Sequence, residues 1–301
     1  MANQPAIWAS LRALRVLLNA MPHSSALRLG SALGGVVEKF SAARVEKIRR
    51  RCALVLGVTP DEARRIVSGS YAHFGRAAAE FIRLPKMAPL MDKIVEFRGE
   101  EHLKEAMKLG RGAIFLSGHI GNWEYGAALI AKLGYPISAI GAEQRDPRIM
   151  DAMVEIRSAG GVKHVGKGLD IKAAVSCLKR GEILAVLFDQ DARDRGIISP
   201  FLGYPASTPT GPIRMAQKLG CPVLPVRVTR SPDGERFIMT MDAPFEGKDG
   251  RPFGDDLRHA ADTCNGAISS WIRENPEQWL WMYPRWESTM REDFNKCISA
   301  A

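Results

Sequence analysis

Short apolar runs alternate with helical stretches from about Ile94 onward, and this alternation constrains the fold more than any other feature of the sequence. Such alternation predicts an α/β fold with a mostly parallel sheet flanked by helices. The predicted strands are Ala113–Leu116, Ile137–Ile140, Val162–Val165, Ile183–Phe188, Val223–Thr229 and Phe237–Met241. The predicted helices are Trp123–Lys132, Pro147–Ser158, Ile171–Lys179, Pro212–Lys218 and a closing helix, Asp255–Arg273.

The residues before this alternation have a helical pattern from Arg12 to about Leu84. Thr59 followed by Pro60 is a typical helix start, with a capping hydroxyl and a proline in the first turn. We therefore divide the chain into an N-terminal helical, membrane-associating region, 1–93, and an α/β domain, 94–301.

Positive charge is concentrated at the N-terminus. The net charge is +9, and residues 1–51 contain nine Lys or Arg residues against two Glu. Such a segment favours an anionic partner, which could be a membrane surface, an acidic protein or a nucleic acid. The alternative is a solvated basic face with no partner.

The first predicted helix has one apolar stripe. Its members are Ile7, Leu11, Leu14, Leu18 and Met21. Arg12 and Arg15 interrupt the apolar run well before the ~20 residues of a spanning helix, and the segment lacks the features of a signal peptide. Two interpretations remain open: a helix lying in the membrane interface, and one packed on the protein's own core.

The cysteines and histidines are dispersed. The five cysteines contain no C-x-x-C pair and the six histidines no H-E-x-x-H pattern, so we expect neither a zinc site nor a disulfide framework, and a reducing compartment. The tryptophans near the C-terminus are not interleaved with basic residues, so we expect no nucleic-acid partner.

The segment from Ala113 to Gly126 carries the most chemical information: A-I-F-L-S-G-H-I-G-N-W-E-Y-G. His119 follows a predicted buried strand, at the sheet edge where ligands bind in open α/β folds. Asn122 can cap the next helix and place Glu124 in its first turn. We predict that Glu124 accepts a hydrogen bond from His119, so that the other ring nitrogen can act as a general base. The alternative is a purely structural pair.

Three blocks in order resemble the bacterial lipid A biosynthesis acyltransferases, the lauroyl/myristoyl transferase family. The first is S-G-H-I-G-N-W-E, which contains the H-x-x-x-x-E pattern of glycerolipid-type acyltransferases. The second, Phe188–Pro212, is similar to the family's D-Q … P-F-F-G … T-G-P stretch, and the third, Asn275–Trp286, to its P-E-Q-W-x-W-x-x-x-R-W ending. The N-terminal hundred residues resemble the family only loosely.

The resemblance implies transfer of a fatty acyl group from an acyl carrier protein or coenzyme A thioester to a hydroxyl of a membrane glycolipid, a lipid A precursor. His119 would be the general base and Glu124 its partner, and Arg157 or Arg145 would stabilise the oxyanion. No cofactor and no metal are expected. The implied partners are the acyl carrier protein, the glycolipid acceptor and the membrane surface. The implied location is the cytoplasmic face of the bacterial inner membrane, with peripheral or interfacial attachment.

Further residues are expected to bind substrate. They are Asn122, Arg145, Asp189, Gln190, Thr208, Thr210 and Gly211. The stretch from Ser207 to Pro212 is predicted to lead into a helix whose N-terminal amides could face a lipid phosphate. Three alternatives remain open: an acyltransferase for another membrane glycolipid or phospholipid, a thioester hydrolase on the same fold, and a membrane-bound adaptor without catalysis.

Overall fold

The computed structural model describes residues 4–141, 144, 146–166, 171–247 and 252–290. The helices are α1 Gln4–Ala20, α2 His23–Phe40, α3 Ala42–Leu56, α4 Pro60–Ile82, α5 Leu84–Met87, α6 Met91–Ile94, α7 Glu100–Lys108, α8 Trp123–Lys132, α9 Pro147–Ala159, α10 Ile171–Lys179, α11 Gly211–Leu219 and α12 Leu257–Glu274. The strands are β1 Val95–Arg98, β2 Ala113–Ser117, β3 Ile137–Gly141, β4 Val162–Gly166, β5 Ile183–Leu187, β6 Ile197–Phe201, β7 Tyr204–Thr208, β8 Val223–Arg230 and β9 Phe237–Met241. Short 3₁₀ helices lie at Ala88–Leu90, Arg193–Arg195 and Pro276–Gln278.

Seven of the strands form one sheet in the order β1-β9-β8-β2-β5-β3-β4. Every neighbouring pair is parallel except β8 with β9. Strand β2 at its centre is buried along its whole length. The predicted fold class, a mostly parallel sheet flanked by helices with a helical N-terminal layer, is confirmed.

The predicted strands and helices are all present, with ends that differ by no more than two residues. Three strands were missed: β1 at the sheet edge, and β6 and β7, which form a separate antiparallel hairpin. The prediction that Ser207 to Pro212 form a loop leading into a helix is partly wrong, because Ser207 and Thr208 are the last two residues of β7. The cap predicted at Thr59 is confirmed, since its hydroxyl accepts a hydrogen bond from the Glu62 amide.

The N-terminal helices pack closely on one another and on the sheet domain. A side chain at Gly34 would collide with the Tyr71 carbonyl, and one at Gly30 with the Gly75 carbonyl, so only glycine permits this approach of α2 to α4. Val45 of α3 and Tyr71 of α4 belong to the same buried core as Ile114 of β2. The helical layer and the sheet therefore share a core.

Helix α1 packs against the rest of the protein through part of its apolar stripe. Leu18 is buried, and Leu14 and Met21 pack with it against Ala79 and Ile82 of α4. Of the two interpretations left open, packing on the protein's own core therefore holds for these three residues. Among the helices described, none is both long and apolar enough to span a bilayer.

Candidate functional site

The register of two neighbouring strands creates the site. Strands β2 and β5 are parallel, and their last residues, Ser117 and Leu187, are paired. His119 and Asp189 each lie two residues beyond that pair, so both emerge side by side at the carboxyl edge of the sheet. The Asp189 carboxylate accepts a hydrogen bond from Nδ1 of His119 at 2.8 Å and another from the His119 backbone amide at 2.8 Å.

Asp189 is an anchored, ionised carboxylate. Its side chain is 1% exposed, and Nε1 of Trp279 donates to it at 2.7 Å. Burial disfavours the charged form, but the electrostatic interaction with the His119 ring and the hydrogen bonds from His119 and Trp279 outweigh it, so the pKa of Asp189 lies below that of an ordinary aspartate. A carboxylate held in this way fixes the tautomer of the imidazole, with the proton on Nδ1.

Two aromatic rings hold the His119 side chain from other directions. Tyr283 stacks on the imidazole with ring centroids 5.6 Å apart and an angle of 10°, and Trp123 meets it edge-on at 5.2 Å. The His119 carbonyl accepts from the Leu280 amide at 3.0 Å. With its Nδ1 bound to Asp189, the ring keeps Nε2 available, because no hydrogen bond to it occurs among the described residues.

The predicted hydrogen bond from His119 to Glu124 is wrong. Glu124 lies in the first turn of α8, as predicted, but its carboxylate binds Arg157, with Nη2 at 2.6 Å and Nε at 3.1 Å. Trp123 Nε1 also donates to it at 3.2 Å. The strand register supplies Asp189 to the imidazole, and the helix start directs Glu124 towards α9 instead.

Arg157 is buried at the end of α9. Its side chain is 7% exposed and that of Glu124 11%. Nη1 of Arg157 lies 2.9 Å from Nδ1 of His164 on β4, so Nδ1 accepts and the proton of that ring is on Nε2. Burial and the neighbouring guanidinium lower the pKa of His164, which keeps it in this neutral form.

A narrow cavity opens beside this ion pair. Ser117, Trp123, Glu124 and Arg157 line it together with apolar side chains from α8 and from four strands of the main sheet. The apolar residues are Phe115, Ala127, Ile137, Ala139, Ile140, Ala185, Val186, Leu187, Val226 and Val228, with Gly126 as the remaining member. The sheet edge thus combines His119 with a small apolar recess, and Trp123 contacts both.

Helix α4 secures the turn that carries His119. Gly121 has a φ of +63°, and a side chain there would collide with the Val228 carbonyl, so the turn is confined to glycine. His73 of α4 donates from Nε2 to the Gly121 carbonyl at 3.1 Å, and burial lowers the pKa of His73 to about 3, so the ring is neutral. Glu80 of α4 accepts from the Asn122 side chain at 2.8 Å.

The same network extends to β8. Glu80 is fully buried, and Nη2 of Arg230 contacts both of its carboxylate oxygens, at 2.7 and 2.8 Å. Gln278 contacts both the amide and the carbonyl of Arg230. Sequence reasoning missed His73 and Glu80, because no motif surrounds them and only the tertiary packing brings α4 beneath the turn.

Asn122 caps α8, as predicted, but its substrate-binding assignment does not match its contacts. Its Oδ1 accepts from the Tyr125 amide at 3.1 Å, its Nδ2 donates to Glu80, and the residue is 3% exposed. Asp189 was likewise expected to line the substrate site, whereas its carboxylate is occupied by His119 and Trp279. Both residues hold the site from within the protein.

The other residues that were predicted to bind substrate lie in different surroundings. Thr208 is fully buried, and its hydroxyl binds Asn265 and Arg285, so its side chain faces the interior. Thr210 is half-buried and precedes α11, which begins at the exposed Gly211. Gln190 is half-buried beside Asp189, and Arg145 lies outside the described residues.

Asp189 and Asp191 do not converge on one point. Asp191 accepts from the Ser288 amide and hydroxyl at 2.8 and 2.6 Å, and from the Arg193 amide at 2.8 Å. The part of the chain that the structure describes holds no cluster of three or more His, Cys, Asp or Glu side chains suited to a metal ion.

Comparison with known proteins gives a consistent result. Residues 2–288 match the model of the family described as bacterial lipid A biosynthesis acyltransferase. The chain is 24% identical over 295 residues to the lipid A biosynthesis lauroyltransferase of Escherichia coli K12, covering 94% of this chain and 93% of that protein. It is 22% identical over 268 residues to the phosphatidylinositol mannoside acyltransferase of Mycobacterium tuberculosis, covering 82% and 78%.

Proposed function

Because the chain belongs to the family of bacterial lipid A biosynthesis acyltransferases and is therefore an acyltransferase, we propose that it transfers a fatty acyl group from an acyl thioester to a hydroxyl of a lipid A precursor. The observation that carries the catalytic part of this proposal is the His119–Asp189 pair at the carboxyl edge of the sheet.

The pair supplies a general base. With the Nδ1 proton held by Asp189, Nε2 of His119 takes the proton of the acceptor hydroxyl as its oxygen attacks the thioester carbon. The tetrahedral intermediate then collapses, the carbon–sulfur bond breaks, and the proton on Nε2 passes to the leaving thiolate. The products are an ester and a free thiol. No acyl-enzyme is needed in this sequence, and His119 is regenerated neutral.

Glu124 has a different role in this mechanism from the one its spacing suggested. We assign Glu124 and Arg157 as a buried ion pair that shapes the cavity beside the reacting carbon. Arg157 retains N–H groups beyond those bound to Glu124, and these support its proposed donation to the oxyanion. Its burial argues against a clamp on a bulky lipid headgroup.

The donor and acceptor are proposed on chemical grounds and by similarity. An acyl carrier protein is acidic, which suits the basic N-terminal region, whereas a coenzyme A thioester offers the same reacting group. The lauroyltransferase of Escherichia coli supports a lipid A precursor as acceptor. The mycobacterial phosphatidylinositol mannoside acyltransferases support a second candidate, another membrane glycolipid. We propose that the enzyme meets either acceptor at the cytoplasmic face of the inner membrane.

Purified protein, an acyl-carrier-protein thioester and a detergent-solubilised lipid A precursor test the proposal. We expect acyl transfer that requires the acceptor, and losses of ~10²–10⁴-fold in turnover for His119→Ala and for Asp189→Asn. Thiol release that is independent of acceptor would instead identify a hydrolase. If Asp189→Asn retains normal turnover while Glu124→Gln loses it, the assigned partner of the base is wrong.

A further inference from the structure

One face of α2 is apolar and exposed. Leu33, Val36, Val37 and Phe40 follow the i, i+3, i+4, i+7 spacing of one helix face, and at 100° per residue they fall within an arc of about 100°. Their fractional exposures are 37%, 46%, 54% and 89%. We call these four residues the α2 stripe. A contiguous row of this kind on a helix surface marks an interaction site.

The other side of α2 is polar. Ser24, Arg28 and Ser31 of α2 line a cavity together with Arg76 of α4. On the helical wheel, with Gly30 facing α4, these α2 residues lie on the flank opposite the α2 stripe. The cavity thus shows which flank of α4 adjoins the polar flank of α2: the flank that carries Arg76.

The α2 stripe consequently lies on the side of the catalytic histidine. On α4, with Gly75 facing α2, Phe74 and Arg76 point about 200° apart and occupy opposite flanks. Phe74 packs on Trp123 with ring centroids 6.0 Å apart, and Trp123 contacts His119 at 5.2 Å. The flank of α4 that leads to His119 is therefore the one that adjoins the α2 stripe.

Helix α1 extends this apolar surface. Val16 is 70% and Leu17 50% exposed. Val16 lines a wide groove between α1 and α9 together with Phe81, which shares the Phe74 flank of α4.

We infer that the α2 stripe inserts into the acyl region of an anionic bilayer and holds the His119 edge of the sheet against the lipid surface. Positive charge follows the α2 stripe along the chain and is complementary to anionic headgroups: Lys39 of α2 and Arg44 and Lys47 of α3 are exposed. An apolar stripe bordered by cations is the arrangement of a helix that lies in the membrane interface. The inference rests on the proposed function, because a lipid acceptor is presented at that surface.

The three consecutive arginines after these cations already have partners within the protein. Arg49 binds Glu38 at 2.7 Å and Arg50 binds Glu46 at 3.1 Å. Arg51 binds the carbonyls of Trp281 and Tyr283. Because these guanidinium groups bind other groups of the protein, replacing them would also disturb the fold. The α2 stripe is therefore the better place for substitutions that test docking.

Partition onto vesicles of phosphatidylglycerol and phosphatidylethanolamine tests the inference. We expect Val36→Ser with Phe40→Ser to lower the partition coefficient by at least about tenfold, since two inserting apolar side chains are removed. A matched control is Leu109→Ser with Ile171→Ser, which are 56% and 65% exposed in the α/β domain. The control should bind as the wild type does, and both variants should unfold at the wild-type temperature because all four side chains are exposed.

Acyl transfer to a detergent-solubilised acceptor separates this inference from the proposed function. The stripe variant should retain that activity and lose activity on acceptor embedded in vesicles. Unchanged partition of the stripe variant overturns the inference. So does a wild-type dimer that the stripe variant converts to monomers without change in vesicle binding, because the stripe would then bind a second copy. Vesicle binding without any transferase activity would refute the proposed function and leave the docking surface intact.

Discussion

At the scale of single residues, the motif predicts His119 as the general base, and the structure replaces the partner it predicts, Glu124, with Asp189. The pattern H-x-x-x-x-E after a buried strand predicts His119, and the spacing of five residues predicts Glu124 as its partner. Asp189 lies 70 residues away and meets His119 only because β2 and β5 are neighbours in register. Local spacing in the sequence does not show which parallel strands are neighbours in a sheet. The sequence therefore predicts that Asp189 lies at the site, but not that it binds His119.

Arg157 and Arg148 provide a comparison within one helix. Arg157→Ala removes the partner of a buried carboxylate at the cavity, whereas Arg148 is paired with Asp146 at the surface, where its side chain is 40% exposed. We expect Arg157→Ala to reduce turnover at saturating lipid by ~10²–10³ without a comparable rise in the Michaelis constant. Arg148→Ala should remain close to the wild type.

Initial rates over a range of lipid concentrations measure this difference, with thermal unfolding as the control for misfolding. Equal and small effects of the two variants would remove Arg157 from the site and leave the oxyanion to backbone amides. A raised Michaelis constant with normal turnover would instead assign Arg157 to substrate binding.

At the scale of helices and strands, periodicity was sufficient wherever an element was regular. The exceptions have local causes. The β6–β7 hairpin contains Pro200 and Pro205, and proline within an apolar run weakens a strand assignment. Strand β1 has four residues at the sheet edge, of which Glu96 and Arg98 are exposed. Short edge strands with charged residues resemble loops in sequence.

Helix α4 provides a test of how elements are joined. Glu80 is fully buried and binds Arg230 and Asn122, so Glu80→Ala leaves a buried guanidinium without its carboxylate. Breaking a buried pair in this way costs about 3–5 kcal/mol of unfolding free energy. Glu105→Ala is the control, because Glu105 is 70% exposed and its bond to Lys108 is worth about 1 kcal/mol or less. Urea denaturation measures both variants, and similar losses from the two would contradict the assigned role of Glu80.

At the scale of the whole molecule, the division of the chain at residue 93 follows sequence pattern and not function. The helical layer is predicted to associate with a membrane. In the structure α4 also contributes His73 and Glu80 to the turn that carries His119, and α3 contributes Arg51 to the C-terminal segment. The two regions share one core. Periodicity identifies each helix and its apolar face, but it cannot show which polar residue of the helix meets a turn 42 or 48 residues further along the chain, as Glu80 and His73 do.

The buried His73 makes the whole fold sensitive to acid. Its pKa falls to about 3 in the folded protein because burial disfavours the charged ring, while in the unfolded chain it is about 6.5. Between these values the unfolded chain binds one proton more than the folded protein, so the unfolding free energy decreases as the pH falls below about 6.5. From pH 7.5 to 5.5 this group alone accounts for a loss of about 1 kcal/mol. Urea denaturation at both pH values measures this loss. Between pH 7.5 and 5.5, the unfolding free energy of His73→Gln should fall by less than that of the wild type, and the difference should equal this amount. The control is His259→Gln, at an exposed position, which should behave as the wild type does. An equal loss in the wild type and His73→Gln would show that this histidine is not held neutral in the fold.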